Sequence, residues 1–165
     1  MQRIALLSDT HNYLDQAIFK YFETCDQIWH AGDIGTISVA NELEKIKPLK
    51  AVYGNIDGPD IRSIYPKNQR FNCEGVSVFM THIGGYPGKY NNEVLAEIRK
   101  NPPMLFICGH SHILKVQFDK TNNLLHMNPG AAGIHGFHKV KTLLRFTIDA
   151  DKIKDLEVIE LGLRA

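Results

Sequence analysis

Short strand-like runs alternate with amphipathic stretches along the first third of the chain. The runs at 4–7, 27–30 and 49–53 are each followed by small or polar residues. Between them, the stretches at 13–24 and 38–46 carry apolar residues three and four positions apart, the spacing of one helix face. This repeated order of strand, helix and strand predicts a parallel sheet with right-handed crossovers.

The rest of the chain predicts more strands than helices. Residues 56–68 hold two prolines and a glycine and predict a loop. Residues 90–99 predict a helix, which Pro102 and Pro103 follow. The predicted strands, which include two hairpins, lie at 70–73 with 76–80, at 104–108, at 116–118 with 124–126, at 143–148 and at 153–159. Without an internal repeat or linker, residues 1–165 are expected to form one domain.

Five polar islands follow these predicted strands and share residue types that bind metals. They are Asp9-Thr10-His11, Gly32-Asp33, Gly54-Asn55, Thr81-His82 and Gly109-His110-Ser111-His112. Ligands of open α/β sheets sit beyond the carboxyl ends of the strands. The islands are therefore expected to converge on one edge, although they are far apart in the sequence.

Each island alone has a simpler interpretation. Asp33 and Asn55 are common turn residues after glycine, and His82 could be a histidine satisfied at a strand end. Together the islands offer two carboxylates, one amide and four imidazoles, a set that suits two divalent ions. Two such ions with a bridging hydroxide would make the centre formally positive by one. A pair roughly 3.5–4 Å apart can clamp the attacking and leaving oxygens of a phosphate ester.

Composition narrows the class of protein. Hydrophobic residues make up 44% and charged residues 22%, values of an ordinary globular domain, and the net charge is +1. Since no basic run stands out, nucleic acid is not indicated as a partner. The N-terminus lacks a signal-peptide pattern and no apolar run is long enough for a bilayer, so the protein is expected to be cytoplasmic.

Cys25, Cys73 and Cys108 show no paired spacing and are expected to be buried and reduced.

The five islands, in this order, resemble the signature of the calcineurin-like metallophosphoesterases. The similarity runs from Asp9 through the turn 128–130, and the chain length resembles the small, single-domain prokaryotic phosphodiesterase branch. The resemblance implies an α/β fold, a four-layer α/β/β/α sandwich with a dinuclear metal site at the edge of the two sheets. It also implies a metal-dependent phosphodiesterase that acts through a hydroxide bridging the two ions.

The resemblance also implies the role of each island residue. It places one ion on Asp9, His11, Asp33 and His112, and the second ion on Asp33, Asn55, His82 and His110. Asp33 would bridge the ions, and Asp33, Asn55 and His82 would be the catalytic residues. Mn²⁺ is the cofactor that the resemblance favours, and the donor types also permit Fe, Zn or Ni.

One position departs from the family pattern. Many members carry a histidine directly after the asparagine, where it binds phosphate and protonates the leaving group, whereas this chain has Ile56. Isoleucine cannot transfer a proton, and general acid catalysis is typically worth about 10²–10⁴-fold. Activated or aryl diesters are therefore expected to be cut far better than simple alkyl monoesters.

Alternative functions remain open at this point. A phosphomonoesterase or a nuclease could use the same centre, and a branch of the family suggests a scaffold that binds proteins without catalysis. All seven ligand positions are filled here, which disfavours the scaffold. A small phosphate ester is the expected substrate, and a homodimer is one expectation for the apolar C-terminal strands.

The other histidines and two loops receive weaker predictions. His30 is expected to be a packed residue, and His126, His135 and His138 are expected on the surface or in a hairpin. His135 lies in a glycine-rich loop that could border the site, as could Tyr86 and Lys89.

Overall fold

The computed structural model describes residues 1–165 and contains ten strands and four helices. The strands are β1 (Gln2–Leu7), β2 (Gln27–His30), β3 (Leu49–Ala51), β4 (Asn68–Cys73), β5 (Val76–Thr81), β6 (Leu105–Ile107), β7 (Leu114–Asp119), β8 (Leu124–Pro129), β9 (Val140–Asp149) and β10 (Lys152–Leu163). The helices are α1 (Ile18–Phe22), α2 (Ile37–Ile46), α3 (Pro59–Arg62) and α4 (Asn92–Lys100).

The strands form two five-stranded mixed sheets. The first has the order β10-β9-β1-β2-β3 and the second the order β4-β5-β6-β8-β7. The predicted parallel arrangement is confirmed for β1, β2 and β3, whereas β9 and β10 join the first sheet in antiparallel pairs. In the second sheet β5, β6 and β8 are parallel, and both predicted hairpins form.

Alternating side chains of β1 separate the layers. Ile4 and Leu6 pack into a core between the two sheets, while Ala5 and Leu7 face a second core that includes residues of α1 and α2. A third core lies between the second sheet and α4. The layer order is therefore helices, sheet, sheet and helix. This arrangement confirms the predicted α/β/β/α sandwich.

Two segments differ from the helix predictions. The stretch 13–24 forms only a short α1, because the Asp15 side chain accepts a hydrogen bond from the Ala17 N–H (2.9 Å) and holds a turn before the helix. The predicted loop 56–68 contains the short α3, whose first residue is Pro59. Proline is well suited to a helix start, since its missing N–H would have no partner there.

Two further predictions concern single residue types and the membrane. The three cysteines are buried and unpaired, as predicted. None of the helices combines the length and apolar character that crossing a bilayer requires.

His126 corrects one expectation. It lies in a hairpin strand, β8, but it is fully buried rather than on the surface. Its ring packs among Tyr86, Tyr90 and Phe106, with ring centroids 5.7–5.9 Å away, and neither ring nitrogen has a hydrogen-bond partner. Burial lowers the pKa of His126 to about 4. This burial could not be predicted from the alternation of residues, because both faces of β8 are covered.

We expect His126 to make the fold sensitive to acid. An unfolded histidine has a pKa near 6.5, so the unfolded chain takes up the proton first, and stability falls as the pH drops from about 6.5 towards 4. Between pH 7.5 and pH 5, the metal-free wild-type protein should lose about 2 kcal/mol more unfolding free energy than the His126→Phe variant. Urea unfolding at both pH values measures this difference. Equal losses in both proteins would contradict the account.

Candidate metal centre

The five islands meet at the carboxyl ends of the parallel strands. In the first sheet the islands of Asp9, Asp33 and Asn55 follow β1, β2 and β3. In the second sheet His82 follows β5, and the island 109–112 follows β6. The ligand atoms form two groups, each within 4.8 Å: Asp9 with His11 and His112, and Asp33 with His82 and His110. The predicted convergence is therefore confirmed.

Asp33 belongs to the second group and also contacts a histidine of the first. Its Oδ2 is 3.3 Å from Nε2 of His11 and 3.2 Å from Nε2 of His82. Asp9 Oδ1 is 3.2 Å from Nε2 of His112 and 3.8 Å from Nε2 of His82. Donors that share one ion about 2.0–2.2 Å away are typically separated by distances of this size. The spacing therefore fits shared ions.

Asn55 completes the set from the surface side. Its Oδ1 lies 3.0 Å from Nδ1 of His110, and its side chain is exposed. Asp9 and Asp33 are buried, so the group of ligands has a closed floor and an open rim. A substrate can reach the ligands only from the rim.

Several ligand atoms have no partner within the protein. Asp9 Oδ1, His11 Nε2 and His82 Nε2 are buried and accept or donate no hydrogen bond. Buried polar atoms without partners are costly and rare in folded proteins. Carboxylate oxygen and imidazole nitrogen are donors that divalent transition metals accept. These residues therefore fit a metal centre.

Neighbouring groups orient the His82 ring and the Asp9 carboxylate through hydrogen bonds. Nδ1 of His82 lies 2.7 Å from the Ala31 carbonyl oxygen, so it donates there and leaves Nε2 free as a ligand. The Ser8 hydroxyl (2.6 Å) and the His110 N–H (3.0 Å) both donate to Asp9 Oδ2. Asp9 Oδ1 is thereby left to face the imidazoles.

The charges of the site are set by close carboxylate–imidazole contacts. Burial opposes the ionisation of Asp9 and Asp33, but their histidine neighbours outweigh it and hold the pKa of both carboxyls well below the usual range. Asp33 and Asp9 in turn raise the pKa of His11 to about 9. Both carboxylates are therefore available as ligands at neutral pH, and a bound metal must displace protons from imidazole.

Half of the ten non-glycine residues with a positive φ angle are candidate metal ligands. Positive φ angles occur at Asp9 (55°), His11 (43°), Asp33 (57°), His110 (72°) and His112 (62°). Such angles are uncommon outside glycine and cost about 1–3 kcal/mol each. The fold holds the ligand residues in conformations that favour the shape of the site over local backbone preference.

The island glycines permit close approach between islands. A Cβ at Gly54 would lie 2.0 Å from Asp33 Oδ1, and a Cβ at Gly109 would lie 2.1 Å from the Ser8 Oγ. Any side chain at these positions would push the carboxylates of the site aside. The glycines that precede ligands in the sequence thus have a steric role.

Asp57 is a structural residue of the site that the sequence analysis did not identify. Its buried carboxylate accepts hydrogen bonds from the N–H groups of Ile34 (3.2 Å), Gly35 (2.8 Å) and Gly54 (2.8 Å). It therefore joins the loop after Asp33 to the loop that carries Asn55. Spacing in the sequence cannot reveal such a bond, because aspartate after a turn is common.

His30 and Asn128 form hydrogen bonds to residues of the islands. His30 is fully buried, as expected of a packed residue, and bonds to Thr10 (3.0 Å) and to the Gly32 N–H (3.1 Å). The Asn128 amide donates to the Gly109 carbonyl (3.1 Å). Both residues fix island backbone rather than contact the ligand atoms directly.

The loops proposed from the sequence do border the site. The rings of His135 and His11 stack with centroids 4.8 Å apart, and Lys89 lines a cleft together with His110. His138 is half-buried and packs against His112. A cleft of about 300 Å³ has candidate ligands such as His11, Asp33 and His112 in its lining and is partly apolar, because Ile56 and Phe137 form part of its wall.

The fold and the donor set together define a class of protein: a four-layer sandwich with two carboxylate–imidazole clusters, suited to metal ions, at one edge. The family model described as the calcineurin-like phosphoesterase superfamily domain matches residues 2–151. The chain therefore belongs to this superfamily of phosphoester hydrolases, which confirms the family resemblance.

Similar proteins agree with this assignment. A probable metallophosphoesterase of Methanothermobacter thermautotrophicus is 26% identical, with 96% of this chain and 92% of that protein covered. A probable metallophosphoesterase of Methanocaldococcus jannaschii is 24% identical, with 92% and 78% covered.

Solved structures show the same fold. Chaetomium thermophilum Vps29 has a TM-score of 0.75 at 16% identity, with 99% of this chain and 100% of that chain covered. A structure described as a novel archaeal phosphodiesterase has a TM-score of 0.74 at 22% identity, with 95% and 99% covered.

Proposed function

We propose that this protein is a metal-dependent phosphodiesterase with two divalent ions, of which Mn²⁺ is preferred. The observation that carries the proposal is the position of Asp33 Oδ2, which is 3.3 Å from the His11 Nε2 and 3.2 Å from the His82 Nε2. One carboxylate thus faces imidazoles of both groups. The archaeal phosphodiesterase with a similar fold supports the choice of activity.

The proposed ligands divide between the two groups. Asp9, His11, Asp33 and His112 would hold the first ion, and Asp33, Asn55, His82 and His110 the second. When bound, the ions would supply hydroxide near neutral pH and neutralise charge on the phosphate.

The protein's own residues would orient the reaction. Asp33 would hold both ions in register through one carboxylate, while Ile56 N–H, 3.1 Å away, fixes its Oδ1. Asn55 and His82 belong to the proposed second set of ligands and would position the scissile phosphate against that ion. Their contacts to His110 and to the Ala31 carbonyl keep both side chains in place.

Ile56 affects which leaving groups the proposed site favours. Its side chain is 46% exposed and lines the same cleft as Asp33, His135 and Phe137. The side chains of Ile56 and Phe137 offer no proton to an alkoxide, but their apolar surfaces suit the ring of an aryl ester. The structure thus adds a contact surface to the preference expected from the sequence.

We therefore expect bis-p-nitrophenyl phosphate to be cleaved far faster than p-nitrophenyl phosphate, and glycerol 3-phosphate to be cleaved slowest. Ile56→His should raise kcat for glycerol 3-phosphate by about 10²-fold, because the new imidazole can protonate an alkoxide. Release of nitrophenolate or phosphate with Mn²⁺ measures each rate.

Ile56→Leu is the matched control and should keep the wild-type order of substrates, since leucine is equally apolar. Comparable wild-type rates on the aryl diester and the alkyl monoester would contradict the proposed preference. Cytoplasmic location and a homodimer both stay predictions.

A further inference from the structure

A second cleft next to the candidate metal centre contains two cationic side chains and no carboxylate. Its volume is about 260 Å³, and Asn55 and His82 form one side of it. Tyr53, Arg62 and Lys67 lie on its wall. We call it the Arg62 cleft. It is distinct from the partly apolar cleft that Ile56 and Phe137 line.

Arg62 is held rigidly but its charge is not neutralised. Its Nε donates to the Asp57 carbonyl (2.6 Å), and its Nη2 lies 3.3 Å from the Asn55 carbonyl. The guanidinium lies over the Tyr53 ring, 4.5 Å from the centroid. No carboxylate pairs with Arg62, and Nη1 has no hydrogen-bond partner. A guanidinium fixed in this way is preorganised to bind an oxyanion.

Lys67 provides the second positive charge. It pairs with Glu93 at 3.4 Å, but both side chains are more than half exposed, at 58% and 70%. Surface pairs of this kind contribute little and are readily exchanged for another partner. Lys67 can therefore turn towards an anion in the cleft.

Charge balance indicates what the cleft binds. The proposed centre has a formal charge of +1, so a diester monoanion neutralises it. No positive charge of the centre then remains for a second anion. Two cations beside it match a phosphate dianion. We propose that the Arg62 cleft binds a second phosphate group carried by one substituent of the diester. This inference rests on the proposed phosphodiesterase function and narrows its substrate class.

Two matched substrates test the inference by turnover. Thymidine 5′-(p-nitrophenyl phosphate) and its 3′-phosphorylated form share the scissile bond and the leaving group. With Mn²⁺ the 3′-phosphate should raise kcat/KM by about tenfold or more, and Arg62→Gln or Lys67→Gln should reduce this ratio towards one. Arg62→Lys should retain part of the ratio. Lys100→Gln, which removes an exposed lysine of α4, should leave the ratio unchanged.

Binding provides a readout without turnover. In calorimetry with Mn²⁺-loaded protein, thymidine 3′,5′-bisphosphate should bind at least about tenfold more tightly than thymidine 5′-phosphate, and Lys67→Gln should remove the difference. Equal affinities and equal kcat/KM values in the wild type would overturn the inference while diester hydrolysis stands. Preferential binding without hydrolysis of any ester would support the cleft and contradict the proposed phosphodiesterase.

Discussion

Asp33→Asn is expected to reduce kcat/KM for bis-p-nitrophenyl phosphate by about 10³-fold or more and to lower the bound metal below two ions per chain. Asp33 Oδ1 accepts the Ile56 N–H, and Oδ2 faces His11 and His82. An asparagine that keeps the first bond turns its NH₂ towards the ions, where a donor cannot act as a ligand. Metal analysis and steady-state kinetics measure the two effects.

Asp60→Asn is the matched control for this substitution. Asp60 is exposed on α3 and lies outside the ligand groups, so activity and metal content should stay within about twofold of wild type. Circular dichroism should show that Asp33→Asn remains folded. Wild-type hydrolysis by a folded Asp33→Asn protein would exclude the bridging role.

Asp57→Ala is expected to cost about 2–4 kcal/mol of unfolding free energy and to weaken metal binding by about 10–100-fold. The substitution leaves three N–H groups without their acceptor, and burial of each such group is unfavourable. The loops that carry Asp33 and Asn55 would also separate. Urea unfolding of the metal-free protein and calorimetric titration with Mn²⁺ measure the two effects independently.

Asp60→Ala serves again as the control and should cost less than about 1 kcal/mol. The Asp60 carboxylate accepts only the adjacent Ile61 N–H, at the exposed start of α3. If Asp57→Ala matched this control in stability and in Mn²⁺ affinity, Asp57 would not join the two loops as described.

The convergence of the five islands could be predicted from the sequence because each island follows a buried strand. Apolar runs identified β1, β2, β3, β5 and β6, and the carboxyl ends of parallel strands share an edge in any such sheet. The seven candidate ligands could therefore be expected to lie close together. Their division between two ions came from the family resemblance and stays a prediction. The structure groups Asp9 with His11 and His112, and Asp33 with His82 and His110, while Asn55 contacts His110.

Other features depend on tertiary contacts that produce no periodic pattern in the sequence. Asp57 bonds to backbone groups 22 and 23 residues away, and the Ser8 hydroxyl orients a neighbouring carboxylate. The helix predicted at 13–24 is shortened by a single turn at Asp15, which overrides the apolar spacing. His126 is buried because α4 and the loop before it cover β8, a tertiary contact that local sequence does not encode.

Titration of metal-stripped protein with Mn²⁺, with bound metal and bis-p-nitrophenyl phosphate hydrolysis followed together, tests the central claim most directly. The proposed centre predicts about two bound ions per chain, with hydrolysis appearing as the second ion binds. The same preparation should cleave p-nitrophenyl phosphate more slowly. Two bound ions without turnover of either ester, with Mn²⁺ and then with Fe²⁺, Zn²⁺ and Ni²⁺, would contradict the enzyme and favour a non-catalytic scaffold.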